Sequence, residues 1–314
     1  MTILIICSGN APGFDFQKHQ AFIYDQVEAV KRAEPEVEFE FFFVRGKGVM
    51  GYLAARKQML EAVKRYRPDV IHAHFAHSGL LAAMQRRVPV VITFHGSDIN
   101  TLSNRVISFM AERLCSRAIY VSHALREKAL WASGKKSSVI PCGVDTALFK
   151  PADKTQARKK LNLKPEINYI LFSSSFSVKV KNYLLAKHAV ARLDSPGAEL
   201  LEFTGYSREE AALLFSAADV ALMTSFSEGS PQFIKEAMAC NCPIVTTDVG
   251  DARDVIGDTE GCYITGYDPA DVAQNLKKAL AFNKKTNGRE KIMHLDNANI
   301  AKKVLDVYGL VLSF

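Results

Sequence analysis

No apolar run in the 314-residue chain approaches the ~18 residues that a membrane-spanning helix needs, which excludes such a span. No C-x-x-C pair occurs. The six cysteines (Cys7, Cys115, Cys142, Cys240, Cys242 and Cys262) are scattered, and Cys240-Asn241-Cys242 is too tight for the usual zinc spacing. That pattern argues against a zinc ribbon or a disulfide framework and for reduced thiols. G-x-G-x-x-G and G-x-x-x-x-G-K-[ST] are both absent, so neither the dinucleotide fingerprint nor the P-loop is present. Low-complexity stretches are missing too. With 48% hydrophobic and 23% charged residues the composition is that of a globular protein, and its length suits two domains of about 150 residues. The apolar start, Met1 to Cys7, has no basic flank and runs directly into Ser8-Gly9-Asn10. It reads as a buried strand and not as a signal peptide, so a cytoplasmic location is expected.

The net charge of +7 is unevenly placed: residues 1–150 hold 20 Lys or Arg against 13 Asp or Glu, whereas residues 151–314 are balanced at 20 each. The excess includes Arg56/Lys57, Lys64/Arg65/Arg67 and Arg86/Arg87. Attraction to an anionic surface or substrate is one reading, and solvated helix faces are the other. Nucleic acid is the weakest partner, because no RNP, helix-turn-helix or finger pattern accompanies the charge.

Short β-branched runs alternate with longer helical patterns, which predicts parallel sheets covered by helices. In the first half, strands are expected at 3–7, 39–44, 70–74, 90–94, 118–121 and 139–140, with helices at 18–33, 52–66, 79–86, 106–113 and 124–131. In the second half, strands are expected at 169–172, 199–203, 220–223 and 244–246, with helices at 183–193, 209–215 and 231–239. Between the halves, residues 151–165 are polar with proline at both ends, which suits a hinge and places the boundary near residue 150. Two α/β lobes of similar size facing a cleft are predicted, with ligands at the carboxyl ends of the strands. The helical pattern at 297–311 is expected to pack back on the first lobe.

Four loops stand where such a fold places its chemistry. His95-Gly96-Ser97-Asp98 follows the 90–94 strand. There His95 can donate or accept to a ligand, or the turn simply ends the strand with Asp98 capping the next helix. In Glu228-Gly229-Ser230-Pro231-Gln232, Ser230 reads as an N-cap and Pro231 as the first helical residue. The free N–H groups and positive dipole of such a helix start suit a diphosphate. Glu228 and Glu236 would then bind hydroxyls, or else serve as a dipole-compensating charge and a surface charge. Residues 172–182 form a small-residue loop in which Lys179 or Lys181 could meet phosphate, or lie in solvent. Ser8 to Gly13 occupies the equivalent phosphate-approaching place in the first half. His72-x-His74-x-x-His77 offers no evident fourth metal ligand, so strand-end histidines are the stronger reading.

In this order and spacing the motifs resemble the family-4 glycosyltransferases of the GT-B fold, two Rossmann-like lobes facing a cleft. The most specific feature is Glu228-x7-Glu236 followed by Ala-Met-Ala-Cys-Asn-Cys-Pro-Ile-Val-Thr-Thr-Asp-Val-Gly250. Pro68-Asp-Val-Ile-His-Ala-His74, Thr93-Phe-His-Gly-Ser-Asp98, Val121-Ser122, Ile140-Pro-Cys-Gly-Val-Asp145 and Lys181-Asn182 support it, and the likeness runs from residue 1 to about 280. It implies transfer of a sugar from a nucleotide-diphosphate sugar to a polysaccharide, glycolipid or similar acceptor, with retention and with neither metal nor cofactor. By the same resemblance His95, Lys181 and Glu228 are catalytic, His95 and Glu228 contacting the sugar and Lys181 the leaving diphosphate. Glu236 would hold ribose hydroxyls, the Gly229, Ser230 and Gln232 amides would approach sugar and distal phosphate, and Gly13, Lys179 and Pro231 complete the donor site. An acceptor at the inner face of a bacterial membrane is expected, with peripheral contact to anionic lipid. The chain departs from the family at Ser175-Phe176, where the family has Gly-Arg, so the second phosphate-binding cation is missing unless Lys179 substitutes for it. Gly13 alone remains of the first loop's glycine pair, and Cys142 replaces the usual Asn. A nucleotide-sugar 2-epimerase of the same fold and a catalytically weak nucleotide-sugar-binding subunit are the alternatives.

Overall fold

A computed structural model describes residues 1–193 and 197–313. The chain divides into two compact units, the first built from Met1–Gly143 together with residues from Asn297 onward, the second from Val144–Asp296.

Unit 1 holds a six-stranded sheet in the order β2-β1-β3-β4-β5-β6. Its strands are β1 (Thr2–Ser8), β2 (Glu38–Val44), β3 (Val70–His74), β4 (Val90–Phe94), β5 (Arg117–Tyr120) and β6 (Ser137–Val139), all paired in parallel. Every residue of β3 and β4 is buried, as expected for central strands with helices on both faces. The expected 18–33 helix is interrupted at Gln20, which leaves helical geometry (φ −136°, ψ 41°), so two helices, Phe16–His19 and Ala21–Ala33, replace it.

Helix Asn297–Leu312 packs on helix Ala21–Ala33 and on β3. It buries Ile300, Val304, Val307 and Tyr308 at helical spacing, and the Tyr308 hydroxyl lies 2.6 Å from His72 Nδ1 on β3.

Unit 2 holds β7 (Asn168–Phe172), β8 (Ala198–Glu202), β9 (Val220–Met223), β10 (Ile244–Thr247) and β11 (Cys262–Thr265), in the parallel order β11-β10-β9-β7-β8. The boundary between units falls at Gly143/Val144, ahead of residue 150. Residues 144–149 are held by unit 2's own last segments. Val144 N–H donates to Leu295 O (3.0 Å), and Arg289 donates to the carbonyls of Thr146 and Phe149 (both 2.8 Å). Among the described residues no helix is long and apolar enough to cross a membrane.

Candidate functional site

In unit 2 the order of strands brings three loops together. β9 lies between β7 and β10, so the segments leaving their carboxyl ends are neighbours, the position where open α/β sheets bind ligands. After β7 the chain makes a single 3-10 turn, Lys179–Lys181, and Asn182 takes the left-handed conformation (φ 54°). The segment after β9 holds that turn. Thr224 Oγ1 lies 3.0 Å from both the Lys181 and Asn182 carbonyls, and Phe226 N–H donates to Val180 O (2.9 Å). The result is an ion pair between residues far apart in sequence, with Lys181 Nζ 2.7 Å from Glu228 Oε1, both side chains half-buried.

The segment after β10 supports the same loop from the other side. Thr247 Oγ1 donates to Ser225 O (2.7 Å), and Gly250 passes so close that a Cβ there would lie 2.7 Å from Gly229 O. Gly250 also has φ +64°, so both the space and the backbone at this position call for glycine. Ser230 Oγ donates to Asp251 Oδ2 (2.6 Å) and receives a bond from Lys235 Nζ, whose ion pair with Asp251 spans 3.2 Å. Lys235 is wholly buried.

Ser230 is therefore not the N-cap. Its hydroxyl is committed to Asp251 and Lys235, Pro231 occupies the cap position, and helix Gln232–Ala239 begins one residue later than expected. Proline has no side-chain acceptor, and no side chain caps this helix, so its first-turn N–H groups lack an intrahelical partner. Six of its eight residues are buried; Gln232 and Glu236, one turn apart on one face, keep partial exposure. Lys179 is exposed and forms no ion pair among the described residues. Phe176, in the place of the family's arginine, stacks on Tyr183 (4.2 Å between ring centroids) and packs against the unit 2 core.

The other two expected residues lie in unit 1. Gly13 sits with φ +57° in an open loop, which Asn10 ties to the turn after β2 by two 2.7 Å bonds with Gly46. His95 directly follows β4 and packs against the rings of both Phe22 and Phe75 (4.7 and 4.8 Å), and its Nε2 lies 3.0 Å from His74 Nδ1. Phe75 has φ 71°, a strained backbone for a bulky residue directly beside His95.

Asp98 does not cap the following helix, where Thr101 does so. It accepts instead from Ala76 N–H (2.8 Å) and His95 N–H (2.7 Å), locking the His95 loop to the start of helix Ala76–Ala83. His77 packs on Tyr52, while His72 bonds Tyr308 and Thr93. Among the described residues no group of three or more His, Cys, Asp or Glu is arranged to hold a metal ion.

Burial holds this cluster neutral. It pushes His72 and His95 down to about 3 and His74 well below the ordinary 6.5, with His72 and His95 adding charge repulsion at His74. Burial raises Asp98 to about 6 against the opposing pull of its backbone N–H partners. The unfolded chain therefore takes up histidine protons below pH 6.5 that folded unit 1 refuses, and stability falls as pH drops toward 3. Asp98 has the opposite sign: the folded chain holds its proton up to about pH 6, which offsets one histidine in that window. The urea midpoint is expected to fall clearly between pH 7 and about 4.5 because the histidines outnumber the aspartate. A midpoint that stays level or rises would contradict the neutral cluster.

The sequence reading missed the Lys235–Asp251 pair, Thr224 and the bond between Tyr308 and His72. A lysine inside Phe-Ile-Lys-Glu-Ala-Met was the available signal for the first.

Residues 8–148 match the model of Glycosyltransferase Family 4 and residues 179–281 that of Glycosyl transferases group 1, together more than half of the chain. A Bacillus subtilis protein named for teichuronic acid biosynthesis, TuaC, is 31% identical over 60% of this chain and 56% of its own length. A D-inositol 3-phosphate glycosyltransferase of Geodermatophilus obscurus is 25% identical over 68% of this chain and 59% of its own. The chain thus spans less than two thirds of the length of these curated relatives. Among solved structures, sucrose-phosphate synthase from Thermosynechococcus elongatus superposes with a TM-score of 0.84 at 17% identity, over 99% of each chain. Anabaena HepE in complex with UDP-glucose gives 0.76 at 18% identity, over 99% of this chain and 100% of its own. The fold is GT-B. The chain belongs to the family-4 glycosyltransferases.

Proposed function

We propose that the protein moves a sugar from a nucleoside-diphosphate sugar onto a glycan or lipid-linked acceptor, with retention and without a metal ion. The observation that carries this reading is the Lys181–Glu228 pair, held on two pinned loops beside an uncapped helix start. Charge develops on the leaving diphosphate, and a fixed lysine with oriented N–H groups stabilises it where a metal would otherwise be needed. Glu228 holds Lys181 in place and offers its remaining acceptor positions to sugar hydroxyls. His95, neutral because buried, serves as a hydrogen-bonding group and not as a proton store. The acceptor attacks from the face the phosphate leaves, so no carboxylate nucleophile is needed. The UDP-glucose of the HepE complex supports a UDP-hexose as the first donor to test, and the TuaC name supports a surface polysaccharide as acceptor. The positive excess of residues 1–150 supports contact with an anionic membrane at its inner face.

Glu236, on the half-exposed face of its helix, takes the ribose hydroxyls in this reading. Glu236→Gln should then weaken UDP binding by about ten- to a hundredfold, the ~1.5–3 kcal/mol of a charge-assisted bond. Titration calorimetry in EDTA measures it. Equal affinities for variant and wild type would remove the ribose role, and UDP heat appearing only with added Mg²⁺ would remove metal independence.

A further inference from the structure

Helix Leu102–Leu114 buries Ser108, Ala111 and Glu112 and exposes an apolar stripe on its outer side: Leu102, Val106, Met110 and Leu114, one turn apart. Leu130 and Trp131, also exposed, extend it, for Trp131 meets Phe109 of the same helix edge-on at 6.4 Å. Trp131 is the chain's single tryptophan, and the Arg113 guanidinium lies over it at 5.6 Å.

Cations border the stripe. Arg86, Arg87, Arg113 and Lys136 line one shallow pocket at its Leu114 end, and none forms an ion pair with a described carboxylate. Residues 101–140 hold seven Lys or Arg and two Glu, of which Glu112 is buried.

We propose that this face docks unit 1 onto an anionic lipid leaflet, the apolar stripe and Trp131 entering the headgroup boundary and the cations meeting lipid phosphates. The inference rests on the membrane-contact reading above and names the surface responsible. An amphipathic helix with a tryptophan and snorkelling arginines is the arrangement that settles in that boundary. A second copy fits less well, because a two-fold contact would set the same unpaired cations against each other. Helix Arg56–Tyr66 carries Arg56, Lys57, Lys64 and Arg65 but exposes no large apolar side chain, so it has charge without an insertion surface.

The test is sedimentation with phosphatidylglycerol-containing vesicles and with pure phosphatidylcholine vesicles, together with Trp131 emission. Wild type should bind the anionic vesicles alone, with emission shifted to the blue. Val106→Asp/Met110→Asp should lower partition on the order of tenfold or more, and Arg86→Gln/Arg87→Gln by about fivefold per cation, the ~1 kcal/mol each contributes near such a leaflet. All of these positions are surface ones, and an unchanged thermal midpoint verifies folding. Wild type that ignores anionic vesicles overturns membrane contact and this face together. Variants that bind like wild type overturn the face and leave membrane contact standing. Partition lost instead in Met50→Asp/Leu53→Asp, on the exposed helix Gly48–Ala54, also overturns it, as does a dimer in ultracentrifugation that Val106→Asp/Met110→Asp dissolves.

Discussion

Lys181→Ala is expected to lower the turnover of sugar transfer on the order of 10²–10³-fold, the loss usual when one fixed donor to a developing anion is removed. The substitution acts twice. It takes away the cation that would meet the leaving diphosphate, and it leaves the half-buried Glu228 carboxylate without the partner now 2.7 Å away. Most of the loss should fall on kcat, because the charge that Lys181 compensates is greatest as the phosphate departs. Lys179→Ala is the matched control. Its side chain is exposed and unpaired two residues away, and its removal should change turnover only a few-fold. Steady-state kinetics with a labelled donor decides the point. Equal losses in the two variants would show that general positive charge, and not the Lys181 geometry, carries the effect.

Asp251→Ala is expected to destabilise unit 2 by about 3–5 kcal/mol, the cost of breaking a buried ion pair from one side. Lys235 is 0% exposed, and its Nζ is bonded to Ser230 Oγ and paired with Asp251. Without the carboxylate, the buried ammonium loses the opposite charge now 3.2 Å away. Lys235→Met/Asp251→Ala, which removes the charge as well, should recover much of the loss, because an apolar side chain of similar length suits the site better than a lone cation. Urea denaturation followed by circular dichroism reads both variants. A small loss for Asp251→Ala, or a double variant less stable than the single, would mean that the pair contributes little. The same network fixes Ser230 beside the helix start, so donor affinity should weaken in Asp251→Ala even where the protein remains folded.

What the sequence disclosed and what it hid follow from how far each interaction reaches. β3 and β4 were legible because both faces of a central parallel strand are buried and the residues are apolar almost without interruption. β11 was not: it is an edge strand whose first three residues are only partly buried, so its pattern is weak. The helix Pro269–Phe282 beside it was also unread, although Asp268 as N-cap and Pro269 after it are a standard start signal.

At the site, Glu228 and Glu236 stood out through their spacing, and Lys181 through its place after a strand. Their meeting could not be read, because the pair depends on β7 and β9 being adjacent and on Thr224 holding the turn. Ser230 was read as a cap from a local rule that ordinarily holds. A carboxylate from the segment after β10 took its hydroxyl, a contact across 21 residues that no local pattern contains. The neutrality of His95 likewise depends on Phe22 and on His74-Phe75, which reach it from two segments remote in sequence.

The path of the chain through its two units also sets an order of assembly during synthesis. Unit 2 is one unbroken run, Val144–Asp296, whereas unit 1 is interrupted by it and is closed by helix Asn297–Leu312. While the ribosome is still making unit 2, β3 has no Tyr308 for His72, and the surface of helix Ala21–Ala33 that the late helix will cover lies open to water. Units of this size fold as they emerge. Unit 2 can therefore complete its sheet while unit 1 waits with an uncovered apolar surface, a natural point of engagement for a chaperone. Of the two units, the one begun earlier is completed later.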